Sequence, residues 1–366
     1  MKIGFITTHQ YKNFGTFLQC YALQYTLTKL GHHVEVVDYQ RKEYQKKWIE
    51  KTRIILGDIR RYPLKNLRII LNYPFLIKRI CLFNKFYKRN FQLSSQKYPT
   101  SDSLKKNPPI YDLYISGSDQ IWNPTLNGFI EPYFLTFVPK GRIKAAYAPS
   151  IGIAKLNEKQ QDTFKRLLHD FKFISCREKS GVQLLNNCGI INVTQVIDPT
   201  LLVDKEYWLS LSQKSSINKQ QYGLTYFLSK TDYKEKLINP LFKTKRRLDL
   251  TMETDCNYKS ILAAGPYEFL SLINNADFIC TDSFHGVVFS ILFEKEFYAL
   301  PRHNEGNINS QNSRITDFLK DLGLSDRWIQ HQENIIRTPI NYHEINTKLS
   351  YMKEKSFNYI KTMLHD

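Results

Sequence analysis

Short apolar runs alternate with amphipathic segments along most of the chain, and this alternation predicts repeated strand and helix units. The first unit joins a strand at 2–7 to a helix at 17–30, which Gly31 ends, and a second strand follows at 33–39. Further strands are predicted at 111–116, 143–148, 171–176, 196–200, 222–228, 278–281 and 297–300. Helices are predicted at 266–275, at 287–293, from 313 onwards and at 343–364. The succession is typical of α/β domains with parallel sheets.

The longest polar interruption divides the predicted units into two groups. Residues 211–221 are rich in Ser, Asn, Gln and Lys and predict a linker. The domains are therefore expected at 1–210, with a basic helical insert at about 41–100, and at 222–330, with a helical tail at 331–366. A length of 366 residues agrees with two domains, each able to bury a core.

Composition excludes several classes of protein. A hydrophobic content of 42% and an aromatic content of 14% indicate a globular chain. No apolar run is long enough to span a bilayer, and the apolar start is too short for a signal peptide, so a cytoplasmic protein is expected. The six cysteines show no C-x-x-C pair and no zinc-like spacing. We expect reduced, mostly buried thiols and no metal site.

The net charge of +18 predicts an anionic partner, and most of the excess lies in one segment. Between residues 41 and 97 there are 16 Lys or Arg against three acidic residues, a net charge of +13. Apolar residues interleave with these charges, which predicts a basic amphipathic helix pair broken near Pro74. The segment is either a solvated cover for the first domain or a surface for anionic lipid at the inner face of the cell membrane. Its expected lipid-facing cations are Lys78, Arg79, Lys85, Lys88 and Arg89. No nucleic-acid partner is expected, because no helix-turn-helix, zinc-finger, RNP or KH signature accompanies the charge.

The segment 277–286 predicts an anion site. A buried strand leads to Ser283, a favourable helix N-cap, and the helix then begins with His285 and Gly286. The free N–H groups of a first helical turn, with the helix dipole, bind phosphate or carboxylate. His285 can hold such an anion or move a proton. The simpler alternative is a buried turn whose histidine satisfies a carbonyl.

Polar groups also follow other predicted strands, at the sheet edge where ligands of α/β proteins bind. The loop after the first strand contains Asn13 and Gly15, residues suited to tight backbone geometry. The loop after 111–116 offers hydrogen-bonding groups that suit sugar hydroxyls or stabilise a turn: Ser118, Asp119 and Gln120. Arg177 ends another strand, where it can bind an oxyanion through two N–H groups, pair with Glu178 or cap a helix. The first loop lacks G-x-G-x-x-G, so no dinucleotide site is predicted.

These motifs together resemble the polysaccharide pyruvyltransferase family over about residues 1 to 325. In order they are NFGT with LQ and YALQ (13–24), ISGSDQIWN (115–123), AYAPSIG (146–152), SCRE (175–178), DPTLL (198–202), AD (276–277), DSFHG (282–286) and NSRI (312–315). The resemblance implies two Rossmann-like domains facing a cleft, as in GT-B glycosyltransferases. It also implies transfer of pyruvate from phosphoenolpyruvate onto a sugar of a surface polysaccharide precursor as a ketal, with release of phosphate.

The resemblance places Arg177 and His285 at the donor-binding and catalytic positions, with a third basic group downstream, either Arg302 or Arg314. Ser283 and Gly286 join them as donor-binding residues, and the two loops described above supply the acceptor site. No cofactor is required, and the expected partners are phosphoenolpyruvate and a lipid-linked or oligosaccharide acceptor. Two alternatives stay open. One is a GT-B glycosyltransferase that uses a nucleotide sugar, and the other is a non-catalytic module that binds acidic glycan or lipid.

Overall fold

Two parallel β-sheets form the framework of the molecule. The computed structural model describes residues 1–40, 67–215, 221–229, 231–251, 263–302, 311–332, 335 and 338–365. The first sheet has the order β3-β2-β1-β4-β5 and is parallel throughout. A bridge between Ala145 and Phe173 joins it to a parallel pair, β6 and β7. The strands of this sheet are β1 (Lys2–Ile6), β2 (His33–Tyr39), β3 (Leu93–Tyr98), β4 (Leu113–Ser116) and β5 (Ile143–Ala146), and those of the pair are β6 (Ile174–Cys176) and β7 (Val193–Gln195).

The helices around the first sheet begin at recognisable caps. Asn13 caps the first helix by accepting from the backbone N–H groups of Gly15 and Thr16. Thr100 and Asn157 each begin a helix with a capping box. The helices are α1 (Phe14–Lys29), α2 (Leu67–Asn90), α3 (Ser101–Lys106), α4 (Pro124–Asn127), α5 (Glu158–Leu168), α6 (Lys179–Asn187), α7 (Pro199–Leu202) and α8 (Lys205–Ser212).

The second sheet has the order β11-β10-β8-β9 and is also parallel. Its strands are β8 (Gly223–Tyr226), β9 (Arg247–Leu250), β10 (Phe278–Thr281) and β11 (Glu296–Ala299). Its helices are α9 (Asp232–Ile238), α10 (Pro266–Asn275), α11 (Phe284–Leu292) and α12 (Ser313–Leu322). The expected fold of two Rossmann-like α/β units is therefore confirmed.

The C-terminal helix α13 (Tyr342–His365) connects the two sheets. Near its start, Asn346 donates to Glu294 beside β11, over 3.0 Å. Near its end, the Tyr359 hydroxyl donates to the carbonyl of Ala146 in β5, over 2.8 Å. The predicted helical tail thus packs against both units. No helix in the described part of the chain is both long and apolar enough to cross a membrane.

One expectation about the basic segment is wrong. Residues 41–66 lie outside the described residues, but the following segment is one helix, α2, which continues through Pro74 and is not broken there. Pro74 and its neighbours Tyr73 and Phe75 are exposed, so the carbonyl that the proline leaves unpaired can be solvated.

Arg79 is also misplaced by the sequence reasoning, because it does not face solvent. Its guanidinium is buried, donates to the carbonyl of Thr251 over 2.7 Å and lies 4.6 Å from the centre of the Phe14 ring. Burial lowers the pKa of Arg79 to about 10. It therefore connects the first unit to the second and is not available to a lipid headgroup.

Two further boundaries differ from expectation. The strand predicted at 196–200 lies earlier, at β7, where Val193 pairs with Ile174 of β6. Asp198 instead caps α7 by accepting from the N–H of Thr200. The predicted linker begins inside helix α8, which continues to Ser212, and residues 216–220 lie outside the described part.

The strand orders fix where the loops meet. In the first sheet β1 lies between β2 and β4, and in the second β8 lies between β9 and β10. The order of the strands reverses between β1 and β4 in the first sheet and between β8 and β10 in the second, so that the connections on the two sides lead away from each other. A crevice opens at such a switch point, at the carboxyl ends of the strands. Phe14 of α1 stacks on Phe269 of α10 with ring centres 4.7 Å apart, which packs the two units together beside the crevice.

Candidate active site

The buried carboxylate of Asp198 lies at the centre of the candidate site. Its Oδ1 accepts from the N–H and hydroxyl of Thr200, over 3.0 and 2.7 Å. Its Oδ2 accepts from Arg177 over 2.8 Å and from Ser118 over 3.5 Å, and lies 3.4 Å from Nε2 of His285. Burial raises the pKa of Asp198, but the nearby charges of His285 and Arg177 outweigh it and hold the pKa below its usual value. Asp198 therefore stays ionised and joins loops from both units.

Arg177 is fully engaged with carboxylates. Nη1 donates to Asp198, while Nε and Nη2 donate to Glu178 over 3.3 Å each. The guanidinium also lies 4.2 Å from the centre of the Phe284 ring, at the start of α11. Burial lowers the pKa of Arg177, but Glu178 and Asp198 reverse this and raise it. Its direct contact with a donor stays a prediction; in the structure it orients Asp198.

Arg314 and Arg302, the two candidates for the third basic group, converge on one amide. The side-chain oxygen of Gln311 accepts from Nη1 of Arg302 over 2.8 Å and from Nη2 of Arg314 over 3.2 Å. Gln120 completes this group: with its amide oxygen turned towards Arg314, it accepts from Nη1 and Nη2 over 3.0 and 3.2 Å. The two arginines named as alternatives thus lie together and share a partner, and which of them contacts the donor stays a prediction.

Arg314 differs from Arg177 in its charge environment. It is buried, yet no carboxylate of the described residues lies within ion-pair distance of it. Burial, and after it the charge of Arg177, lower the pKa of Arg314 to about 10, so it remains charged at neutral pH. Nε of Arg302 is buried and has no hydrogen-bond partner among the described residues. A buried guanidinium that lacks a carboxylate is a site that an anion would stabilise.

His285 lies in the first turn of α11, where the sequence placed it. Ser283 caps this helix by accepting from the N–H of Gly286 over 3.4 Å. The His285 ring is buried, and within the described residues its Nε2 has no hydrogen-bond partner despite the nearby Asp198. The simpler interpretation, a histidine that satisfies a carbonyl, therefore has no support in the described part of the chain. Gly286 approaches β10 so closely that a Cβ there would lie 2.3 Å from Oγ1 of Thr281.

Gly15 brings the start of α1 against the catalytic candidate. A Cβ at Gly15 would lie 2.1 Å from Nδ1 of His285 and 2.3 Å from its Cγ. The N-termini of α1 and α11 consequently meet at this ring, one from each unit. Both helix starts carry the positive ends of their dipoles, which favours an anion beside His285.

The residues expected to bind the acceptor occupy different environments. Asn13 caps α1, and Ser118 is buried and donates to Asp198. Asp119 is half-buried, and its carboxylate accepts from the Thr16 hydroxyl over 2.8 Å and from the N–H of Gln120 over 2.9 Å. Asp119 also has φ 75° and ψ −178°, a strained conformation for a residue with a side chain. Asp119 and Gln120 are both half-buried and follow the carboxyl end of β4.

Two residues that organise the site were given no role from the sequence: Asp198 and Gln311. The charged partners of Asp198 lie 21 and 87 positions away, so no local pattern reveals it. Glu178, by contrast, was named as a possible partner of Arg177, and the structure confirms that pairing. Among the described residues, no group of three His, Cys, Asp or Glu side chains could hold a metal ion.

Known structures share the fold at low sequence identity. UDP-GlcNAc 2-epimerase from Neisseria meningitidis, bound to UDP-GlcNAc, superposes with a TM-score of 0.53 and 10% identity, with 100% of both chains covered. UDP-GlcNAc 2-epimerase from Methanocaldococcus jannaschii gives a TM-score of 0.50 and 12% identity, again over 100% of both chains. These similarities show the GT-B-like fold and nothing about the substrate. No curated protein matches the chain.

A family model decides what the fold alone leaves open. The model of the polysaccharide pyruvyl transferases matches residues 13–304, most of the chain, and the matched range contains Arg177, His285 and Arg302. The motif order noted in the sequence agrees with this match. The chain belongs to the polysaccharide pyruvyl transferase family.

Proposed function

We propose that this enzyme transfers pyruvate from phosphoenolpyruvate onto a sugar of a surface polysaccharide precursor as a ketal and releases phosphate. The observation that carries the proposal is the buried guanidinium of Arg314, which has no carboxylate partner among the described residues and lies in one cluster with Arg302 and Gln311. Phosphoenolpyruvate carries a phosphate and a carboxylate on adjacent atoms. Two arginines and two helix N-termini supply cationic and N–H groups for both.

The three arginines of the site have different roles in this proposal. Arg314 and Arg302 bind the donor anion, and Gln311 holds them side by side. Arg177 is neutralised by Glu178 and Asp198, so it serves the donor by orienting Asp198 next to His285. The N–H groups that follow Ser283, including that of Gly286, complete the donor site at the start of α11.

His285 is the proposed acid and base. Protonation of the donor methylene gives an oxocarbenium ion at C2, which a sugar hydroxyl attacks as it loses its proton. Phosphate then leaves with the electron pair of the C–O bond, and a second hydroxyl of the same sugar closes the ketal and loses a proton. The unpartnered Nε2 of His285 is the atom placed to exchange these protons, and ionised Asp198 stabilises the imidazolium between transfers.

The acceptor is proposed to enter the crevice from the side of β4, where Asp119 and Gln120 hydrogen-bond its hydroxyls. The proposed reaction needs no cofactor, because the arginines stabilise the departing phosphate. Since phosphoenolpyruvate is made in the cytosol, we place the enzyme there.

The direct test measures phosphate release from phosphoenolpyruvate with a panel of lipid-linked glycans, and detects the new ketal methyl group in the product by NMR. We expect release only with a glycan acceptor present, and a loss of about 100-fold or more in His285→Gln. His343→Gln, which changes an exposed histidine, is the matched control and should keep full activity. Turnover of a UDP-sugar without use of phosphoenolpyruvate would replace the proposal by the nucleotide-sugar alternative, and anion binding without turnover of either donor by the non-catalytic one.

A further inference from the structure

Helix α2 has a firmly anchored C-terminal part. Phe83 and Phe86 are fully buried, and their rings lie 5.3 Å from Phe14 and 5.0 Å from Tyr267, respectively. Leu82 packs against Gly265 so closely that a Cβ on the glycine would lie 2.6 Å away. These contacts, with buried Arg79, fix the second half of the helix to both α/β units.

The preceding part of the same helix exposes its apolar side chains to solvent. Leu71 is 62% exposed, Tyr73 47%, Phe75 51% and Ile77 45%. Successive members of this set are two residues apart, which rotates each by about 200° around the helix axis relative to the last. Leu71 and Phe75 therefore lie on one face of the helix and Tyr73 and Ile77 on the opposite face, so the four do not form one stripe that the body of the protein could cover. Such a group of large apolar residues marks an interaction site.

Cations follow directly behind the apolar end. Lys78, Lys85, Lys88 and Arg89 are exposed, and the last three line an open groove together with Cys81 and Asn84. At about 1.5 Å per residue, Lys78 lies next to the apolar residues along the axis, and Lys85, Lys88 and Arg89 lie roughly 12–18 Å beyond Ile77.

We propose that α2 docks the enzyme on an anionic lipid bilayer. The apolar end of Leu71, Tyr73, Phe75 and Ile77 enters the headgroup and acyl boundary, and Lys78, Lys85, Lys88 and Arg89 contact the negative headgroups. Charge favours this partner, since the chain carries a net charge of +18 and the same helix supplies four exposed cations after its apolar residues. A solvated cover would not need large exposed apolar side chains on two opposite faces of the helix. If the proposed function holds, docking brings the crevice to lipid-linked acceptors, but the binding itself does not depend on catalysis.

Flotation with phosphatidylcholine vesicles that contain roughly 30% phosphatidylglycerol tests the proposal on the full chain, without substrate. We expect binding at low salt that weakens as salt rises, and no binding to vesicles of phosphatidylcholine alone. Joint change of Lys78, Lys85, Lys88 and Arg89 to Gln should weaken partitioning by about 100-fold or more. The matched control changes three exposed lysines and one exposed arginine elsewhere to Gln, namely Lys140, Arg142, Lys155 and Lys159, and should bind nearly as wild type.

A second variant and its matched control test the contribution of the apolar residues to vesicle binding. Joint change of Leu71, Tyr73, Phe75 and Ile77 to Ser should also weaken partitioning, by about 10-fold or more. Joint change of four other exposed apolar residues to Ser, Ile110, Leu126, Ile191 and Tyr351, should not. Circular dichroism verifies that each variant is folded. Three results would each overturn the proposal. The first is that the wild type does not bind anionic vesicles at low salt, and the second is that the charge control loses binding to the same extent. The third is that the protein dimerises through the apolar end and that the dimer does not bind lipid. None of these results would change the phosphate release expected with a short soluble acceptor, and that measurement tests the proposed function separately.

Discussion

Gly15 and His285 are in direct contact across the two α/β units: the backbone of the first turn of α1 packs on the imidazole at the start of α11, and a Cβ on Gly15 would lie 2.1 Å from Nδ1. Only a residue without a side chain fits, since real contacts of a Cβ are not closer than about 3 Å. The glycine therefore fixes the position of His285 without touching the reacting atoms. In the structure Gly15 is thus a positioning residue for His285, and its contact with an acceptor stays a prediction.

Gly15→Ala should displace the His285 ring and reduce kcat/KM by about 100-fold or more, because small displacements of a proton-transfer group are costly. Alanine is the better helix former by about 1 kcal/mol, so the loss of activity should not come from a less stable helix α1. Steady-state kinetics and urea unfolding measure the two effects separately. In a His285→Ala background the same change should be less unfavourable for stability, since the contacts with Nδ1 and Cγ are gone and only the Cβ at position 285, 2.8 Å away, remains. Thr28→Ala, at the exposed end of α1, is the control. Full activity in Gly15→Ala would show that His285 tolerates the shift.

Asp198→Asn should destabilise the protein by about 3 kcal/mol, because it leaves Arg177 and His285 without their shared carboxylate. The sign of the pH dependence follows from the lowered pKa of Asp198. Its contribution to the free energy of unfolding is complete above about pH 4, the usual value of an aspartate, and is lost as the pH falls through the lower folded-state pKa. The difference between wild type and variant should therefore stay constant from neutral pH down to about pH 4 and shrink below it.

Urea unfolding at a series of pH values measures this difference. Asp204→Asn breaks an exposed pair with Lys353 and should cost at most about 1 kcal/mol. A difference for Asp198→Asn that is no larger than this control would remove Asp198 from the centre of the site.

Arg314→Gln and Arg177→Gln should have opposite effects on stability. Removing Arg314 takes away a buried charge that no described carboxylate compensates, so the free energy of unfolding should stay the same or rise. Removing Arg177 leaves Glu178 and Asp198 buried without their cation and should cost about 3 kcal/mol. The expected effects on donor affinity do not follow these effects on stability. Arg314→Gln should raise the KM of phosphoenolpyruvate by about 10-fold or more, with Arg302→Gln acting in the same direction.

Thermal unfolding with added inorganic phosphate checks this assignment independently of turnover. Phosphate should raise the melting temperature of the wild type and have little effect on Arg314→Gln, because a ligand stabilises only a state that binds it. If Arg314→Gln instead unfolds as readily as Arg177→Gln and still responds to phosphate, the guanidinium is structural.

Local sequence signals predicted the elements around the site well. The strand Phe278–Thr281 and the helix Pro266–Asn275 were predicted with their observed limits, since a buried strand and an amphipathic helix both carry a short-range pattern. The N-cap at Ser283 was predicted for the same reason. The strand expected at 196–200 failed because its apolar residues Val196 and Ile197 are buried in a loop, whereas the true strand β7 is set by its pairing with β6.

The network of hydrogen bonds and ion pairs in the site could not be predicted from the sequence, because it depends on contacts between distant segments. Asp198 meets residues that lie 21 and 87 positions away, and only the folded chain reveals that Arg177 is neutralised while Arg314 is not. Both arginines end or begin a regular element in the sequence. What distinguishes them is Glu178, the neighbour that was named as a possible partner of Arg177, and Asp198, which lies 21 positions away and which no pattern of spacing encodes.

Asp119 combines a strained backbone with a carboxylate at the crevice, and substitution by glycine separates the two properties. Glycine adopts φ 75° without strain, which should stabilise the protein by up to about 1 kcal/mol, and loss of the hydrogen bonds from Thr16 and Gln120 should offset that gain. Asp119→Gly should therefore fold with nearly unchanged stability. Its KM for the acceptor should rise by about 10-fold or more, while the KM of phosphoenolpyruvate stays the same, because Arg302 and Arg314 remain in place.

Ala148→Gly is the matched control for the backbone, since Ala148 also has a positive φ, of 55°, at the end of β5, and carries no polar side chain. Relief of strain should roughly offset the loss of a buried methyl group, so its stability should stay nearly unchanged, and both KM values should stay unchanged. Steady-state kinetics with each substrate varied in turn, together with urea unfolding, distinguishes the outcomes. An equal rise of the acceptor KM in both variants would mean that backbone conformation, and not the Asp119 carboxylate, shapes the acceptor site. A rise of the donor KM in Asp119→Gly would instead place the Asp119 carboxylate at the donor, beside Arg314. The charge of this carboxylate acts to raise the pKa of Arg314.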